Sequence, residues 1–303
     1  MIIMPPYLQK GDAIGIICPS GSMPVDNMQI CLEVLQQWGF RIKKGATLGT
    51  HFNYFSGTDE ERLKDIQTML DDEEIKAILC ARGGYGLSRI IDKIDFEKFI
   101  QQPKWIIGFS DVTILHSYLF QKHNIASLHS PMAAAFNNGG SDTEYIQSLL
   151  KALSGAPSIY HCDGNRLNKA GSARGELVGG NLCLLAHLIG SESSVDTRNK
   201  ILFIEDVGEF IYNIDRLMLQ LKRAGKLEEL TGLVVGSFTD MKDTVIPFGE
   251  SVYDLIHEKV MDYNYPVCFH FPVGHSSQNY ALKHGVVYSL TVTESGVTLR
   301  EVV

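Results

Sequence analysis

The chain has 303 residues, 45% of them hydrophobic and 20% charged, enough to bury a large core and more in keeping with two domains than one. A formal net charge of -8 argues against nucleic acid or an anionic membrane as the main partner. No apolar run approaches the roughly 20 residues that span a bilayer, and residues 1–12 lack the charged start and apolar middle of an export signal, so the expected compartment is the cytoplasm.

The elements follow in chain order. Ala13–Cys18 reads as a buried strand, after which Val25, Met28, Cys31, Leu32, Leu35 and Trp38 recur at helical spacing until Gly39 offers a stop. Phe40–Lys43 is a second candidate strand. Thr58 with Glu61 three residues on is a capping-box signature ahead of Leu63, Ile66 and Leu70, and the strand Ile75–Ala81 follows. Gly83, Gly84 and Gly86 break the chain before a helical segment at Leu87–Ile91. Next come the strand Trp105–Phe109, the helix Asp111–His123 and the apolar run Ile125–Leu128. Strands alternating with helices predict a parallel sheet covered on both faces, in an α/β domain over residues 1–150.

Residues 151–172 dissolve into Gly, Pro, Ser and Asn and are the candidate linker. A second β/α domain over 173–303 is then expected. In it Gly179–Ile189 reads as a helix, Ile201–Val207 as a strand, and Ile214, Leu217, Met218 and Leu221 as an amphipathic helix face. Leu233–Phe238 and Val267–Phe271 read as strands flanking the helix Val252–Met261, and Val286–Val302 as a hairpin turning near Gly296. The six cysteines are scattered with no C-x-x-C pair and read as reduced core thiols.

Open parallel sheets hold their ligands beyond the carboxyl ends of the strands. Five segments qualify: Pro19-Ser20-Gly21, Arg82-Gly83-Gly84-Tyr85-Gly86, Ser110, Glu205-Asp206 and Gly274-His275-Ser276-Ser277. Ser110 ends an apolar run and opens a helix, where a hydroxyl stands clear of its backbone beside unpaired N–H groups. Read alone, however, that segment favours an ordinary N-cap. The glycine segment lacks both nucleotide-loop spacings, so its better use is close backbone approach to a substrate oxygen. Glu205 closes an otherwise apolar strand, where a carboxylate is costly without a partner. An imidazole or backbone N–H groups would each serve. His270 and His275 do not carry a metal-ligand spacing, and neither a metal nor another cofactor is expected. Ser110, Glu205 and His275 stand in the order nucleophile, acid, base, one known order of a serine triad, although there is no G-x-S-x-G elbow.

Six segments taken together resemble the LD-carboxypeptidase family of serine peptidases. They are Ile17-Cys18-Pro19-Ser20-Gly21, Ala81 to Gly86, Gly108-Phe109-Ser110-Asp111-Val112-Thr113, Gly175 to Leu182, Phe203-Ile204-Glu205-Asp206-Val207 and Pro272-Val273-Gly274-His275. The resemblance implies a flavodoxin-like N-terminal domain with a parallel sheet and a C-terminal swivelling β/α domain. It also implies a triad of Ser110, His275 and Glu205, with backbone N–H groups of Asp111 and Gly84 as the oxyanion hole. The implied activity is release of the terminal D-alanine from muropeptide tetrapeptides during cytoplasmic cell-wall recycling, and the implied assembly is a homodimer. Ser20, Arg82, Tyr212 and Arg216 are candidate substrate-binding residues. Arg216 would pair with a substrate carboxylate from the helical face it shares with Tyr212 and Glu209. The runner-up is the related branch resembling microcin-immunity peptidases, which cleaves peptidyl or aminoacyl nucleotide antibiotics. A third reading is a peptide-binding protein without enzymatic activity.

Overall fold

In the computed structural model, which describes residues 2–303, the first apolar run forms β1 (Ala13–Ile17), buried along its whole length as a strand covered on both faces should be. A 3-10 turn at Val25–Met28 leads into α1 (Gln29–Gln37), and the chain reverses at Gly39, whose φ of +94° glycine adopts freely. β2 (Arg41–Lys44) is a charged edge strand, largely exposed, which guards the sheet against further pairing. α2 (Asp59–Asp71) opens on the expected capping box: the Thr58 hydroxyl accepts the Glu61 N–H, and the Glu61 carboxylate accepts the Thr58 N–H. β3 (Ile75–Cys80), α3 (Glu97–Gln101), β4 (Trp105–Gly108), α4 (Thr113–His123), β5 (Ser127–His129) and α5 (Glu144–Leu153) follow. Leu87–Ile91, expected as helical, instead gives two short 3-10 turns, Leu87–Arg89 and Ile91–Lys93.

These strands run parallel in the order β2-β1-β3-β4-β5, which is the flavodoxin-like order. Because β1 lies between β2 and β3, the winding reverses beside β1, and the carboxyl ends of β1 and β3 border the crevice where such sheets bind ligands. The residues just beyond β1, β3 and β4 are Ser20, the glycine segment and Ser110.

The second compact unit comprises Pro157–Asn279 and His284–Val303, and the first comprises residues 2–156 and Tyr280–Lys283. Residues 151–172, read as a linker, hold the end of α5, the whole of β6 (Ile159–Asp163) and the first residues of β7 (Gly171–Asn181). β6 pairs antiparallel at the sheet edge, half-exposed and flanked on both sides by the Gly, Pro, Ser and Asn residues that read as a loop. β7 also corrects the helix expected over Gly179–Ile189. The strand continues to Asn181, and only α6 (Leu182–His187) is helical. The reason is close packing, since a Cβ on Gly179 would sit 1.9 Å from the Phe203 carbonyl oxygen on the neighbouring strand.

β8 (Ile201–Val207), α7 (Ile211–Arg223), β9 (Gly232–Thr239), α8 (Val252–Val260) and β10 (Val267–Cys268) complete the β/α part of this unit. The strand expected over Val267–Phe271 is cut short because His270 takes a left-handed φ of +58°. The chain then returns to the first unit over Tyr280–Lys283, where β11 (Leu282–His284) lies next to β5, before β12 (Val287–Val292) and β13 (Gly296–Glu301) form the expected antiparallel hairpin. The second sheet has the order β10-β9-β8-β7-β12-β13-β6, parallel from β10 to β7 and antiparallel beyond.

Candidate active site

Ser110 is delivered by backbone strain. It follows Gly108 and Phe109 at the end of β4 and takes a left-handed φ of +62° at the start of the 3-10 turn Ser110–Val112 that winds into α4. A non-glycine residue in that region costs on the order of 1–2 kcal/mol, and such outliers gather at functional sites. The glycine segment after β3 lies directly against it: a Cβ on Gly83 would stand 2.7 Å from Ser110 Cβ and 2.9 Å from its Oγ. Only glycine lets that backbone approach the hydroxyl so closely. The loop is fixed in turn by the Gly21 N–H, which donates to the Gly83 carbonyl at 3.0 Å, and Gly84 follows, exposed and at φ +103°.

Asp111, next to the serine, is buried and ties three loops together. Its Oδ2 accepts the Ser20 hydroxyl at 2.5 Å and the Leu87 N–H at 2.9 Å. Burial pushes its carboxyl above the usual range, against the pull of those hydrogen bonds. Ser20, a candidate for substrate binding, is fully buried and its hydroxyl is engaged with Asp111. Arg82 is exposed and donates to the Ser22 carbonyl at 2.7 Å.

Sequence reasoning missed Arg62. It is fully buried on α2, donates to the carbonyls of Pro19 at 2.7 Å and Gly86 at 3.0 Å, and pairs with Asp59. One guanidinium thereby ties the loop after β1 to the glycine loop. A signal was present, because Arg62, Asp65, Ile66, Met69 and Leu70 share the buried helical face, but an arginine on an acidic helix reads as solvent-facing.

In the second unit the assembly uses buried side chains instead. Glu205 is fully buried on β8 at a break in register: Ile204 pairs with Val235 but Asp206 with Phe238, so two residues of β9 oppose Glu205. Such a bulge re-aims a side chain. Glu205 Oε2 meets His275 Nδ1 at 2.6 Å. Burial lowers the His275 pKa, but the Glu205 charge, its hydrogen bond and the Asp206 charge outweigh that and raise it above the ordinary imidazole value. The tautomer that donates Nδ1–H to the carboxylate carries its basic lone pair on Nε2.

The turn carrying His275 is held on all sides. A Cβ on Gly274, at φ +114°, would fall 2.6 Å from Glu205 Cβ and 2.7 Å from its Oε2, so this position also requires glycine. The Gly274 N–H donates to Asn279 Oδ1 at 3.0 Å, and the Thr239 hydroxyl donates to the His275 carbonyl at 3.0 Å. Ser237 donates to the Val273 carbonyl through both its N–H, at 2.8 Å, and its hydroxyl, at 3.0 Å.

Asp206 has different partners. It accepts from Asn181 Nδ2 and from the Cys183 N–H, each at 2.9 Å, anchoring the start of α6. Burial first, and the Glu205 charge second, raise its carboxyl to about 6. Tyr212 and Arg216 lie one turn apart on α7, both exposed, with the guanidinium 5.3 Å from the ring centroid. Glu209 precedes the helix, so the expected common helical face holds only for Tyr212 and Arg216. Glu209 accepts from the Asn213 amide, whose oxygen accepts from Arg216 at 3.3 Å. Among the described residues, no three His, Cys, Asp or Glu side chains gather as a metal ion would require.

Residues 14–130 match the LD-carboxypeptidase N-terminal domain and residues 174–290 the LD-carboxypeptidase C-terminal domain. The chain is 34% identical over 294 residues to the probable murein peptide carboxypeptidase of Bacillus subtilis, covering 96% of this chain and 92% of that one. It is 27% identical over 285 residues to the murein tetrapeptide carboxypeptidase of Pseudomonas aeruginosa, covering 90% and 91%. Among solved structures, the muramoyltetrapeptide carboxypeptidase from Oxalobacter formigenes superposes with a TM-score of 0.86 at 27% identity, over 95% of this chain and 98% of that one. The microcin C7 self immunity protein reaches 0.86 at 23% identity over 98% of each chain, a likeness of fold alone. Matched along both halves and nearly end to end, the chain belongs to the LD-carboxypeptidase family.

Proposed function

We propose that the chain is a serine LD-carboxypeptidase that releases the terminal D-alanine from muropeptide tetrapeptides in cell-wall recycling, with Ser110 as nucleophile, His275 as general base and then acid, and Glu205 as the residue that orients and stabilises the imidazole. The observation that carries the triad is the contact of 2.6 Å between His275 Nδ1 and a fully buried Glu205. In the reaction Nε2 takes the Ser110 proton as Oγ attacks the carbonyl, and the imidazolium returns it to the amine of the departing D-alanine. Water then releases the acyl group from Ser110 by the same exchange. Backbone N–H groups of Asp111 and Gly84 would hold the oxyanion, and such donors typically contribute about 2.7–4 kcal/mol each. The mechanism requires Nε2 to come within hydrogen-bond reach of Ser110. Arg216 is the proposed partner of a substrate carboxylate, and cytoplasm and a homodimer are the proposed setting.

The names of the relatives support a murein peptide as the substrate. Cleavage of nucleotide-bearing antibiotics rests on a 23% likeness that speaks only to fold. The test is incubation of the purified protein with a tetrapeptide ending in D-alanine, with mass spectrometry of the products. Release of one alanine per peptide is expected. An unchanged tetrapeptide would refute the reading.

A further inference from the structure

We infer that an aromatic shelf in the first unit, Phe52, Tyr54 and Tyr85 set around Phe55, is a subsite that stacks on the sugar ring of a glycan-linked tetrapeptide, so that the enzyme prefers muramoyl-bearing over sugar-free substrate. The inference rests on the peptidase reading above and adds the part of the substrate that lies away from the cleaved bond.

The shelf is built rigidly. Phe52 and Phe55 exchange both backbone hydrogen bonds, at 2.7 and 3.0 Å, closing a tight turn in which Asn53 takes φ +53°. Phe55 also bridges to Gly21, beside Ser20. Its ring lies 4.9 Å from the Arg62 guanidinium and 5.5 Å from that of Arg89, and both arginines pair with Asp59. Tyr54 meets Phe55 edge-on at 5.6 Å, and Tyr85 lies 5.9 Å away on the other loop. Yet Phe52, Tyr54 and Tyr85 remain 52%, 58% and 47% exposed. Clustered, well-mounted aromatics left open to solvent mark a binding surface rather than a core.

Its place fits the substrate. The Tyr54 hydroxyl is 3.3 Å from where a Cβ on Gly84 would stand, and Gly83, one residue back, touches Ser110. The shelf therefore starts beside the proposed oxyanion loop. Three extended residues between the cleaved bond and the sugar span about 10 Å, so a shelf that adjoins the glycine loop rather than Ser110 itself suits the sugar and not the cleaved bond. A pyranose offers an apolar C–H face to an aromatic ring while its hydroxyls stay in water, and amphipathic Tyr suits that division. One relative is named for a muramoyl-linked tetrapeptide.

The experiment compares kcat and KM for N-acetylmuramoyl-tetrapeptide and for the free tetrapeptide, in the parent enzyme, Phe52→Ala, Tyr54→Ala and Tyr54→Phe, with thermal unfolding to verify folding. The parent should favour the sugar-bearing substrate by roughly tenfold in kcat/KM. Each alanine variant should lose most of that preference through KM, and Tyr54→Phe should keep it. A parent without preference, or alanine variants that lower both substrates in equal proportion, would overturn the subsite and leave the peptidase standing. Hydrolysis of neither substrate by the parent would overturn the peptidase reading and this inference with it.

Discussion

The two units position their candidate catalytic groups by different physical means. In the first, the backbone does the positioning: Ser110 is held at φ +62° and a glycine at position 83 lets a neighbouring loop lie against its hydroxyl. In the second, a bulge in register and a set of buried hydrogen bonds hold His275 on Glu205. The difference teaches that the Ser110 end should be sensitive chiefly to shape, whereas the Glu205–His275 end should be sensitive to charge.

The largest expected effect separates the two ends at once. Ser110→Ala should fold and lose about 10⁴-fold or more in kcat. Ser110→Gly should be equally inactive, yet more stable by up to ~1 kcal/mol, because glycine occupies the left-handed region without strain. A rise in Tm with loss of turnover would establish that this position trades stability for function. An active, folded Ser110→Ala would remove the serine from the mechanism.

Glu205→Gln comes next, with kcat reduced by about 10²–10⁴-fold and substrate affinity retained. The pH profile sharpens the comparison. His275 must be neutral to act as base, so kcat/KM should rise as pH climbs through its raised pKa. In Glu205→Gln burial acts with less opposition, and the acidic limb should move to lower pH. The stability that His275 gains from its partner is full below the ordinary value of 6.5 and is lost as pH rises through the raised one. A Glu205→Gln profile with an unmoved acidic limb would separate the two groups.

Gly83→Ala tests shape at the other end. The added methyl would meet Ser110 Cβ at 2.7 Å, and displacement of the nucleophile by a fraction of an ångström to 1 Å should cost up to about 10²-fold in kcat. Its pH limb should stay where the parent has it.

Much of this was legible in the sequence. The Thr58–Glu61 capping box, the strands β1, β3, β4 and β8 and the closing hairpin follow from spacing and cap chemistry. What escaped depends on contacts distant in sequence. Gly179 and Gly180 look like part of an apolar helix until β8 is packed against them. β6 looks like a linker because it is short and set among Gly, Pro, Ser and Asn, and its pairing with β13 is distant in sequence. Among the candidate site residues, Ser110 and Glu205 stand at strand ends where sheet topology directs attention, but the register break at Glu205 and the strain at Ser110 have no signature of their own. The buried Arg62 and the Phe52–Phe55 turn were hidden for the same reason, since the hydrogen bonds of Arg62 to Pro19 and Gly86 and the bridge from Phe55 to Gly21 are tertiary.

The smallest effect is expected at Asp206. Its carboxyl, raised from 3.8 to about 6, binds its proton more tightly in the folded state, so the associated stability is full below 3.8 and lost as pH rises through about 6. Asp206→Asn removes that titration, and its kcat should fall by less than about tenfold, because Asp206 holds the start of α6 rather than His275. A severe kcat defect here beside a near-normal Glu205→Gln would exchange the roles of the two carboxylates.

The central claim, that Ser110 is a nucleophile activated by the His275–Glu205 pair, is tested most directly by a serine-directed phosphonate followed by peptide mapping. The account predicts one adduct per chain, on Ser110, forming in step with loss of D-alanine release and slowed strongly in His275→Ala and Glu205→Gln. Inactivation with the adduct on another residue, or labelling of Ser110 at the parent rate in both variants, would contradict it.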